Sequence, residues 1–546
     1  MPTRVLCLGG GYTAVTLAWG LRRTIKRGDC ELTIVSRDNF HTFHGFVHEM
    51  LTGKVQPGQI ISPARRIFPP ARFYNAEIEA IDIKNRKVTV ARLLDGKQSE
   101  LTFDHLVFAL GSTDDLGRYA GIAEHALKLK TYWDCFKTRN HLLSMLEMAE
   151  AESDPEERKR LLTFVVAGGG YGGVEVSTEL QHFLQTVVRK EYSGIRPEEP
   201  RVVLVHSTAR ILPELHEHHE PLVTWAEKFV AKSGMDFRPS RKVAAATAEE
   251  VVPDDGEKIS TRTIISCTGT AQSPLLDKLD LPRDDRGRIM ADEHCRVRGE
   301  VDIWAGGDCA SVPHPKGGIC PPLGIYALTA GRQIAKNIKR AIYHREPKPY
   351  RFTGLGDACA LGRRRAVAHV RGFRLKGFAA WVAWRSLLLM FVPSWDRKVR
   401  LVADWMMWPF IGRDIVNMKV EQQMGVAREY FEPGQIIMRQ GDVGQRMFLL
   451  WKGEAEVLLD GENGQTRVKT IKEGDHFGET STLQGVRRIA TVKALTPVEV
   501  ISIGRAEAMA LADVHSAFGG KLRTPLVSLE APSAKPTPAA ERDFSI

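Results

Sequence analysis

Apolar positions at the start of the chain predict a strand, a tight turn and a helix. The apolar run 4–8 leads into glycines at 9–11, apolar residues then recur at helical spacing over 14–21, and a second apolar run covers 31–35. Short apolar runs bounded by glycine are typical of buried strands, and a spacing of three to four is typical of an amphipathic helix. The pattern therefore predicts a β-α-β unit.

The same order of elements returns in the middle of the chain. The apolar run 162–167 is followed by glycines at 168–170, a helical stretch and a strand at 201–205. Two such units are typical of two nucleotide-binding domains in one chain. We therefore expect an α/β fold with two Rossmann-like dinucleotide-binding domains.

The remaining patterns add elements and domain boundaries. Strand-like runs occupy 86–92 and 104–109, a helical stretch covers 142–160, and the strand 301–305 is followed by a helix from about Leu323. Short strands and turns after residue 421 predict a β-roll, and a segment rich in Pro, Ala and Ser predicts a disordered tail. The predicted domains are 1–125 and 286–350 (two parts of one nucleotide-binding domain), 126–285 (the other), 351–420 (an amphipathic helical module), 421–522 (the β-roll) and 523–546 (the tail).

Composition excludes several classes of protein. The chain has 546 residues, of which 43% are hydrophobic and 26% charged, and its eight cysteines include no C-x-x-C pair. These values exclude a fibrous chain and a disulfide scaffold, and they predict neither a metal site nor a thioredoxin-like pair. The first residues do not have the pattern of a secretory signal, so we expect a reducing, cytosolic compartment.

The net charge of +10 is concentrated in one segment. Residues 362–420 hold twelve Lys or Arg, three Asp or Glu, and five of the ten tryptophans. Basic residues interleaved with tryptophan indicate a membrane interface rather than nucleic acid. We therefore expect peripheral attachment to the cytoplasmic face of the inner (plasma) membrane.

A predicted helix in this segment is amphipathic. At 100° per residue, Trp395, Val399, Val402 and Met406 share one side, with charged residues opposite. Such a stripe also suits a helix packed on a core, but the tryptophans and cations favour an interfacial helix.

The first glycine turn has the spacing Gly9-x-Gly11-x-x-Ala14. The first glycine permits the turn, the second lets backbone N–H groups approach a pyrophosphate, and the small third residue allows close packing of helix on strand. The acid that usually ends the second strand and binds ribose is replaced by Ser36. Serine can still hydrogen-bond a ribose hydroxyl, more weakly than a carboxylate does.

The second turn is a full match, Gly168-x-Gly170-x-x-Gly173, and Glu175 follows it. His206 takes the place of the acid after the second strand, and Arg210 lies close in sequence. Histidine and arginine tolerate a 2′-phosphate, so NADPH stays open beside NADH as the donor. A solvent-exposed His206 without a ligand is the alternative.

These motifs resemble the type II NADH dehydrogenases, which are two-dinucleotide flavoproteins that reduce quinones. The resemblance covers about residues 3–420. It includes Asn39–Phe43, Ala109 and Gly111 in Ala-Leu-Gly-Ser, Gly269 after Thr268, Asp308 in Ala-Gly-Gly-Asp-Cys-Ala, and the stretches 361–368, 377–381 and 413–416.

The resemblance implies that the first unit binds FAD and the second binds NADH. It also implies that Asp308 binds the ribityl chain, and that Glu175 lies near the contact between nicotinamide and flavin. One position departs from the family, because Gly324-Ile325 replaces the Ala-Gln pair near the quinone. The cysteine pair of disulfide reductases is missing, and only Cys135 and Cys320 leave room for a sulfide:quinone reductase.

The stretch 431–492 resembles the cyclic nucleotide-binding domain. Phe477 begins a segment like that family's phosphate-binding cassette, with Gly478, Glu479, Arg488 and Ile489 at matching positions. The resemblance implies that Arg488 binds the cyclic phosphate and that Glu479 accepts from the ribose 2′-hydroxyl. Ile489 stands where cGMP-selective domains carry a hydroxyl, which favours cAMP over cGMP.

Together these features predict an FAD-dependent NADH:quinone oxidoreductase that a cyclic nucleotide regulates. Hydride transfer from nicotinamide to flavin needs orientation more than acid–base catalysis, so no catalytic triad is expected. A soluble-acceptor oxidoreductase and a flavin-based redox sensor with a docking domain are the alternatives. The sequence leaves open whether the chain forms a homodimer.

Overall fold

The computed structural model describes residues 2–93, 97–115, 119–370, 372–418, 427–442, 444, 446–461, 464–484, 486–505, 507 and 508. The predicted tail at 523–546 lies outside these residues. The chain divides into two compact units, one within 1–418 and the other within 419–546.

The first β-α-β pattern folds as predicted, with the apolar run 4–8 and the run 31–35 as neighbouring parallel strands. The first 125 residues form β1 (Thr3–Leu8), α1 (Tyr12–Lys26), β2 (Cys30–Ser36), β3 (Phe40–Thr42), α2 (Val47–Leu51), β4 (Ile61–Pro63), α3 (Ala64–Ile67), β5 (Arg72–Asp82), β6 (Lys87–Arg92), β7 (Gln98–Thr102), β8 (His105–Phe108), β9 (Thr113–Asp114) and α4 (Ile122–His125).

The second β-α-β pattern also folds as predicted, as parallel strands on either side of a long helix. Residues 126–285 form α5 (Tyr132–Ala151), α6 (Pro155–Leu161), β10 (Thr163–Ala167), α7 (Tyr171–Glu191), β11 (Arg201–Val205), α8 (Pro213–Lys232), β12 (Asp236–Arg238), β13 (Val243–Ala246), β14 (Glu250–Pro253), β15 (Ile259–Ser260), β16 (Thr263–Ser266) and β17 (Thr270–Ala271).

The helix predicted at 142–160 is wrong in its bounds, because two helices meet there. The helix α5 begins with a capping box between Thr131 and Asp134. The helix α6 begins after Asp154, whose side chain caps it, with Pro155 in its first turn. A proline disfavours helical backbone in the residue before it, so α5 cannot continue through this point.

The chain then returns to the first sheet and adds a helical module. Residues 286–418 form β18 (Ile289–Met290), β19 (Ile303–Ala305), β20 (Ala310–Ser311), α9 (Gly324–Ile342), β21 (Gly356–Ala360), β22 (Ala366–Val370), β23 (Phe373–Gly377), α10 (Phe378–Phe391) and α11 (Trp395–Ile411).

Two sheets carry the nucleotide-binding motifs. The larger has the order β19-β8-β1-β2-β5-β6-β7, and the smaller has the order β12-β11-β10-β16 with parallel pairing throughout. The ends of β1 and β10 therefore bring their glycine turns to the carboxyl edges of two sheets, where such folds bind nucleotides.

The helical module is fastened to the rest of the unit through buried charges. Arg385 on α10 is 8% exposed and donates to Glu49 on α2 at 2.9 Å. The outer face of α11 is apolar and exposed, with Trp395 at 77% and Met406 at 68%. Among the described helices, none is both long and apolar enough to cross a bilayer.

The second unit is a β-roll of two antiparallel four-stranded sheets, ordered β24-β31-β26-β29 and β25-β30-β27-β28. Its described elements are β24 (Ala427–Phe431), β25 (Ile436–Met438), β26 (Arg446–Lys452), β27 (Ala455–Gly461), β28 (Gly464–Ile471), β29 (His476–Phe477), α12 (Glu479–Gln484), β30 (Thr491–Ala494) and β31 (Val498–Gly504).

Candidate active site

A cavity of about 760 Å³ extends from the first glycine turn to helix α10. Its walls come from the first sheet, the start of α7, the start of α9 and the helical module. The residues on its walls include Gly9, Gly11, Ser36, Ala109, Gly111, Glu175, Asp308, Ile325, Trp384, Leu388 and Phe391.

The first glycine turn leaves room that only a glycine backbone provides. A Cβ on Gly9, whose φ is +111°, would lie 2.2 Å from the Ala109 carbonyl oxygen, and a Cβ on Gly10 would lie 2.8 Å from Ser36 Oγ. Gly11 caps α1, and a Cβ there would meet no atom within 4 Å. The N-terminus of α1 is therefore open to the cavity, as a bound pyrophosphate requires.

His41 lies beside this turn and adds a polar atom without a partner. The side chain is buried, its Nδ1 lies 3.3 Å from the Gly10 carbonyl oxygen, and its Nε2 has no hydrogen-bond partner among the described residues. Burial lowers the pKa of His41 to about 4, so the ring is neutral at pH 7. An orphaned polar atom and an open helix end fit a polar nucleotide such as FAD.

Asp308 faces the cavity just after β19, an edge strand of the larger sheet. It accepts hydrogen bonds from Ser112 Oγ at 2.9 Å and from Lys130 Nζ at 3.2 Å. Gly111, at φ +70°, shapes the neighbouring turn. Ala14 is buried in the core instead of lining the cavity, in agreement with a packing role for the third position of the motif.

The second glycine turn repeats the geometry of the first, away from the walls of this cavity. A Cβ on Gly168, whose φ is +106°, would lie 2.6 Å from the Cys267 carbonyl oxygen, and one on Gly173 would lie 1.7 Å from the Gly168 carbonyl oxygen. Gly170 caps α7, and the nearest atom to a Cβ there is 3.9 Å away. Gly269 has a φ of +64° in the loop after β16.

His206 is buried, at 8% exposure, so the solvent-exposed alternative is wrong. Its Nδ1 accepts from the backbone N–H of Gly169 at 2.9 Å, which leaves the proton on Nε2. Nε2 is buried and has no partner among the described residues, and burial lowers the pKa of the ring. His206 therefore offers one unpaired N–H donor near the second turn.

Arg210 is engaged with carboxylates. Its guanidinium donates to Glu227 Oε2 at 2.8 Å, to Glu220 Oε1 at 3.0 Å and to Thr224 Oγ1 at 2.7 Å. Arg238 and Arg241, which hydrogen-bond through their backbones to His206, also pair with acidic side chains. Each of these three guanidinium groups therefore already pairs with a carboxylate, with which a 2′-phosphate would compete.

Glu175 points to the helical module. One carboxylate oxygen accepts from the backbone N–H of Ala360 at 3.1 Å, and the other lies 3.7 Å from His48 Nδ1. The His48 ring in turn lies 5.5 Å, between centroids, from the Trp384 indole. Burial is the main cause that raises the pKa of Glu175, which favours its protonated form.

Sequence patterns missed the residues that complete this site. His48, Lys130 and Trp384 stand outside any glycine motif and reach the cavity walls or Glu175 only through packing. Arg385 reads in the sequence as a break in an apolar run, and the structure gives it a buried partner. The tryptophans of the basic segment were the one available signal.

Position relative to the large cavity distinguishes Cys135 and Cys320 from Ile325. Cys135 and Cys320 are buried, neither lines the large cavity, and burial raises the pKa of both thiols. They therefore do not form a redox pair beside the first glycine turn. Ile325 does line the cavity, at the start of α9, and it presents no hydrogen-bonding side chain there.

The β-roll brings Gly478, Glu479 and Arg488 together. Arg488 is 6% exposed and donates to the carbonyl oxygens of Gly478 at 2.7 Å and Arg446 at 2.5 Å. Glu479 is 5% exposed, and its Oε2 has no partner among the described residues. Ile489 is 41% exposed. An unpaired buried carboxylate oxygen fits a ligand hydroxyl.

Two Rossmann-like sheets, each with an open glycine turn, define a two-dinucleotide oxidoreductase. The chain belongs to the pyridine nucleotide-disulphide oxidoreductase family, which it matches over residues 2–337. Residues 355–414 match the NDH2 C-terminal domain, and residues 428–515 match the cyclic nucleotide-binding domain. The predicted family resemblances and fold class are confirmed, and the family implies FAD and NADH as cofactors.

Relatives and solved structures agree with this assignment. The chain is 28% identical over 418 residues to a probable NADH dehydrogenase of Dictyostelium discoideum, covering 76% of this chain and 90% of that one. It is 27% identical over 441 residues to the type II NADH:quinone oxidoreductase NdhA of Mycobacterium tuberculosis, covering 78% and 91%. The structure of NDH2 from Plasmodium falciparum in complex with NADH has the same fold, with a TM-score of 0.71 at 16% identity over 76% of this chain and all of that one.

Proposed function

We propose that this protein passes electrons from NADH through FAD to a membrane quinone, and that a cyclic nucleotide regulates it. The observation that carries the proposal is that one cavity is lined both by the first glycine turn and by the tryptophan-rich helical module. A bound FAD would supply the redox chemistry, namely acceptance of a hydride from nicotinamide and transfer of two electrons to the quinone. The residues of the chain bind and orient the two nucleotides and the quinone, and they supply a proton.

The two glycine turns hold the nucleotides. The N-termini of α1 and α7 present backbone N–H groups and the positive end of a helix dipole to a pyrophosphate. Asp308, oriented by Lys130 and Ser112, accepts from hydroxyls of the ribityl chain, and Ser36 binds the ribose of FAD. The buried Nε2–H of His206 donates to a ribose hydroxyl of NADH, in place of the missing acid.

Glu175 supplies the proton that the reaction needs. Conversion of NADH and a quinone to NAD⁺ and a quinol consumes one proton besides the hydride. Burial raises the pKa of Glu175, which favours a proton on its carboxyl group, and Glu175 lies on the cavity wall beside His48. Since Ile325 offers no amide to a quinone carbonyl, the quinone is held mainly by apolar contact with Trp384, Leu388 and Phe391.

The reaction is tested with the purified, flavin-loaded chain. Anaerobic NADH should bleach the flavin absorbance, and a short-chain quinone should then support steady NADH oxidation. Fast ferricyanide reduction without quinone turnover would favour the soluble-acceptor alternative. Flavin reduction without turnover on any acceptor would favour the redox sensor.

The exposed face of α11 attaches the protein to the membrane, on the cytoplasmic side that the sequence predicts. Trp395, Val399 and Met406 are at least half exposed, and basic side chains of the same segment suit anionic headgroups. The chain should sediment with vesicles containing phosphatidylglycerol. Replacing Trp395 and Met406 by serine should weaken this binding, whereas Trp133→Ser, which alters an exposed tryptophan on α5, should not. Equal binding of all three proteins would contradict the attachment.

The β-roll binds the regulator. Arg488 supplies the cation for a cyclic phosphate, and Glu479 supplies the acceptor for a ribose 2′-hydroxyl. The exposed Ile489 offers no hydroxyl to a guanine, which favours cAMP over cGMP. Calorimetric titration should give binding of cAMP that Arg488→Lys weakens and that Arg487→Ala, at the exposed neighbouring position, leaves intact.

Regulation itself needs a separate measurement. An effector changes turnover only through its different affinity for two states, and typical couplings of 1–3 kcal/mol correspond to about 5–150-fold. NADH:quinone turnover is measured with and without saturating cAMP. If the wild-type chain binds neither nucleotide at millimolar concentration, the β-roll is a docking domain; if it binds cAMP and turnover is unchanged, direct control is wrong.

A further inference from the structure

Three possible metal ligands meet outside the cofactor motifs. His219 on α8, Asp357 on β21 and His369 on β22 each offer one ligand atom, and these atoms lie within 4.8 Å of one another. All three side chains are half-buried. His219 is far in sequence from Asp357 and His369, which is why the sequence alone predicts no metal site.

The two strands fix the relative positions of two of these ligands. Asp357 and His369 are directly paired across β21 and β22, so their side chains are cross-strand neighbours. The strands approach closely because Gly356 has no side chain: a Cβ there would lie 1.8 Å from the His369 carbonyl oxygen. The pair is therefore set by the sheet and not by a mobile loop.

The third ligand sits at a break in a helix. His219 has φ −142° and ψ 52°, outside the helical region, and Pro221 follows two residues later inside α8. A proline cannot donate the helical hydrogen bond, so the kink has a local cause. The kink brings the His219 ring to 3.7 Å from the His369 ring, between centroids, and leaves His219 Nδ1 buried without a partner among the described residues.

We propose that His219, Asp357 and His369 bind a zinc ion that ties α8 to the C-terminal module. Two imidazoles and one carboxylate form a ligand set that suits Zn²⁺, with a water in the fourth position. Because the ligand atoms lie within 4.8 Å of one another, changes of side-chain torsions are enough to reach tetrahedral Zn²⁺ bonds of about 2.0–2.2 Å. The Asp357 carboxylate offsets part of the charge of the ion. The nearby Arg374 is cationic and repels the ion.

The position gives the ion a structural role. His219 lies on α8, which follows β11 in the second nucleotide-binding domain. Asp357 and His369 lie on β21 and β22, within the residues that match the NDH2 C-terminal domain. Asp357 also lines the large cavity. A bound ion would therefore hold the second nucleotide-binding domain against the module at the edge of the active site.

Zinc binding by the flavin-loaded, full-length chain tests the proposal. After treatment with a chelator, equilibrium dialysis against Zn²⁺ should give one tightly bound equivalent per chain. His369→Gln and Asp357→Asn should each weaken this binding at least about tenfold, since loss of even an outer partner costs roughly 10–100-fold. His344→Gln, which alters an exposed histidine at the end of α9, should bind as the wild-type chain does.

Thermal unfolding provides the second readout. Because the ligands join separate segments of the fold, Zn²⁺ should raise the Tm of the wild-type and His344→Gln chains, and not that of the two ligand variants. Flavin content and circular dichroism verify that the variants fold. Absence of a tight equivalent in the wild-type chain, or unchanged binding in both folded ligand variants, would overturn the site.

Discussion

The two glycine turns share a backbone and differ in what surrounds them. Both first glycines have φ above +100°, and both second glycines cap a helix that begins with tyrosine. In each turn the middle glycine makes room for a side chain at the end of the second strand: Ser36, the last residue of β2, lies against Gly10, and His206, which follows β11, lies against Gly169.

The difference lies in those two side chains and in the third position of each motif. Ser36 leaves its turn open to the large cavity, whereas His206 is hydrogen-bonded to Gly169 and buried. Ala14 is tolerated in the first turn, but in the second even a single Cβ at Gly173 would collide with the Gly168 carbonyl. In the proposed function each turn binds a pyrophosphate, and we expect Ser36 and His206 to decide which ribose fits beside each turn.

The largest expected effect comes from closing the first turn. A side chain at Gly11 points into open space without straining the backbone, whose φ is −80°. Gly11→Val should fold and yet lose FAD, with affinity reduced up to about 100-fold, since overpacking a close contact costs roughly 1–3 kcal/mol. The purified protein should be colourless.

Flavin content after reconstitution measures this effect, with Gly58→Val at an exposed and equally open glycine as the control. A yellow Gly11→Val protein with wild-type flavin content would show that the first turn does not hold FAD.

The matching change in the second turn should separate the two sites. Gly170 has φ −72° and an open Cβ position, so Gly170→Val should also fold. We expect this variant to keep its FAD and to need about 10–100-fold more NADH for flavin reduction, for the same reason of crowding. Anaerobic titration of flavin bleaching with NADH measures the effect; loss of FAD from this variant would contradict the division of roles.

A smaller expected effect concerns His41, beside the first glycine turn, and the pH dependence of the free energy of unfolding. Burial lowers its pKa to about 4, from an ordinary value near 6.5. Between these values the unfolded chain binds the proton and the folded chain does not, so the free energy of unfolding falls as the pH falls. From pH 7 to pH 5 this loss should be about 2 kcal/mol larger in the wild-type chain than in His41→Gln.

Urea unfolding of the flavin-loaded chain at the two pH values measures this difference, with His344→Gln as the control at an exposed position. Equal pH dependence in the wild-type and His41→Gln chains would mean that folding does not lower the pKa of His41.

The turns were predictable from the sequence because strand, glycine spacing and helix are local. The strand at 162–167 appears as β10 at Thr163–Ala167, and Gly168 takes the positive φ that glycine adopts without strain. The residues that complete the site were not predictable, since His48 approaches Glu175 only when α2 packs on α7, and Trp384 approaches His48 only when the helical module packs on α2. The split of the predicted helix at 142–160 had a local signal, Asp154-Pro155, that the apolar spacing concealed.

The smallest expected effect concerns the choice between NADH and NADPH in the second turn. Arg210 is the cation nearest in sequence to His206, and it is held by Glu227 and Glu220. A 2′-phosphate would have to displace these carboxylates, so the wild-type chain should prefer NADH at least about tenfold, or 1.4 kcal/mol. Glu227→Gln removes one of the two carboxylates that pair with Arg210. It should raise kcat/KM with NADPH about three- to fivefold and leave kcat/KM with NADH nearly unchanged.

Glu198→Gln, at an exposed carboxylate of the same domain, is the matched control and should alter kcat/KM with neither donor. An equal gain with both donors would mean that Glu227 acts on the turn as a whole and not on the 2′ position.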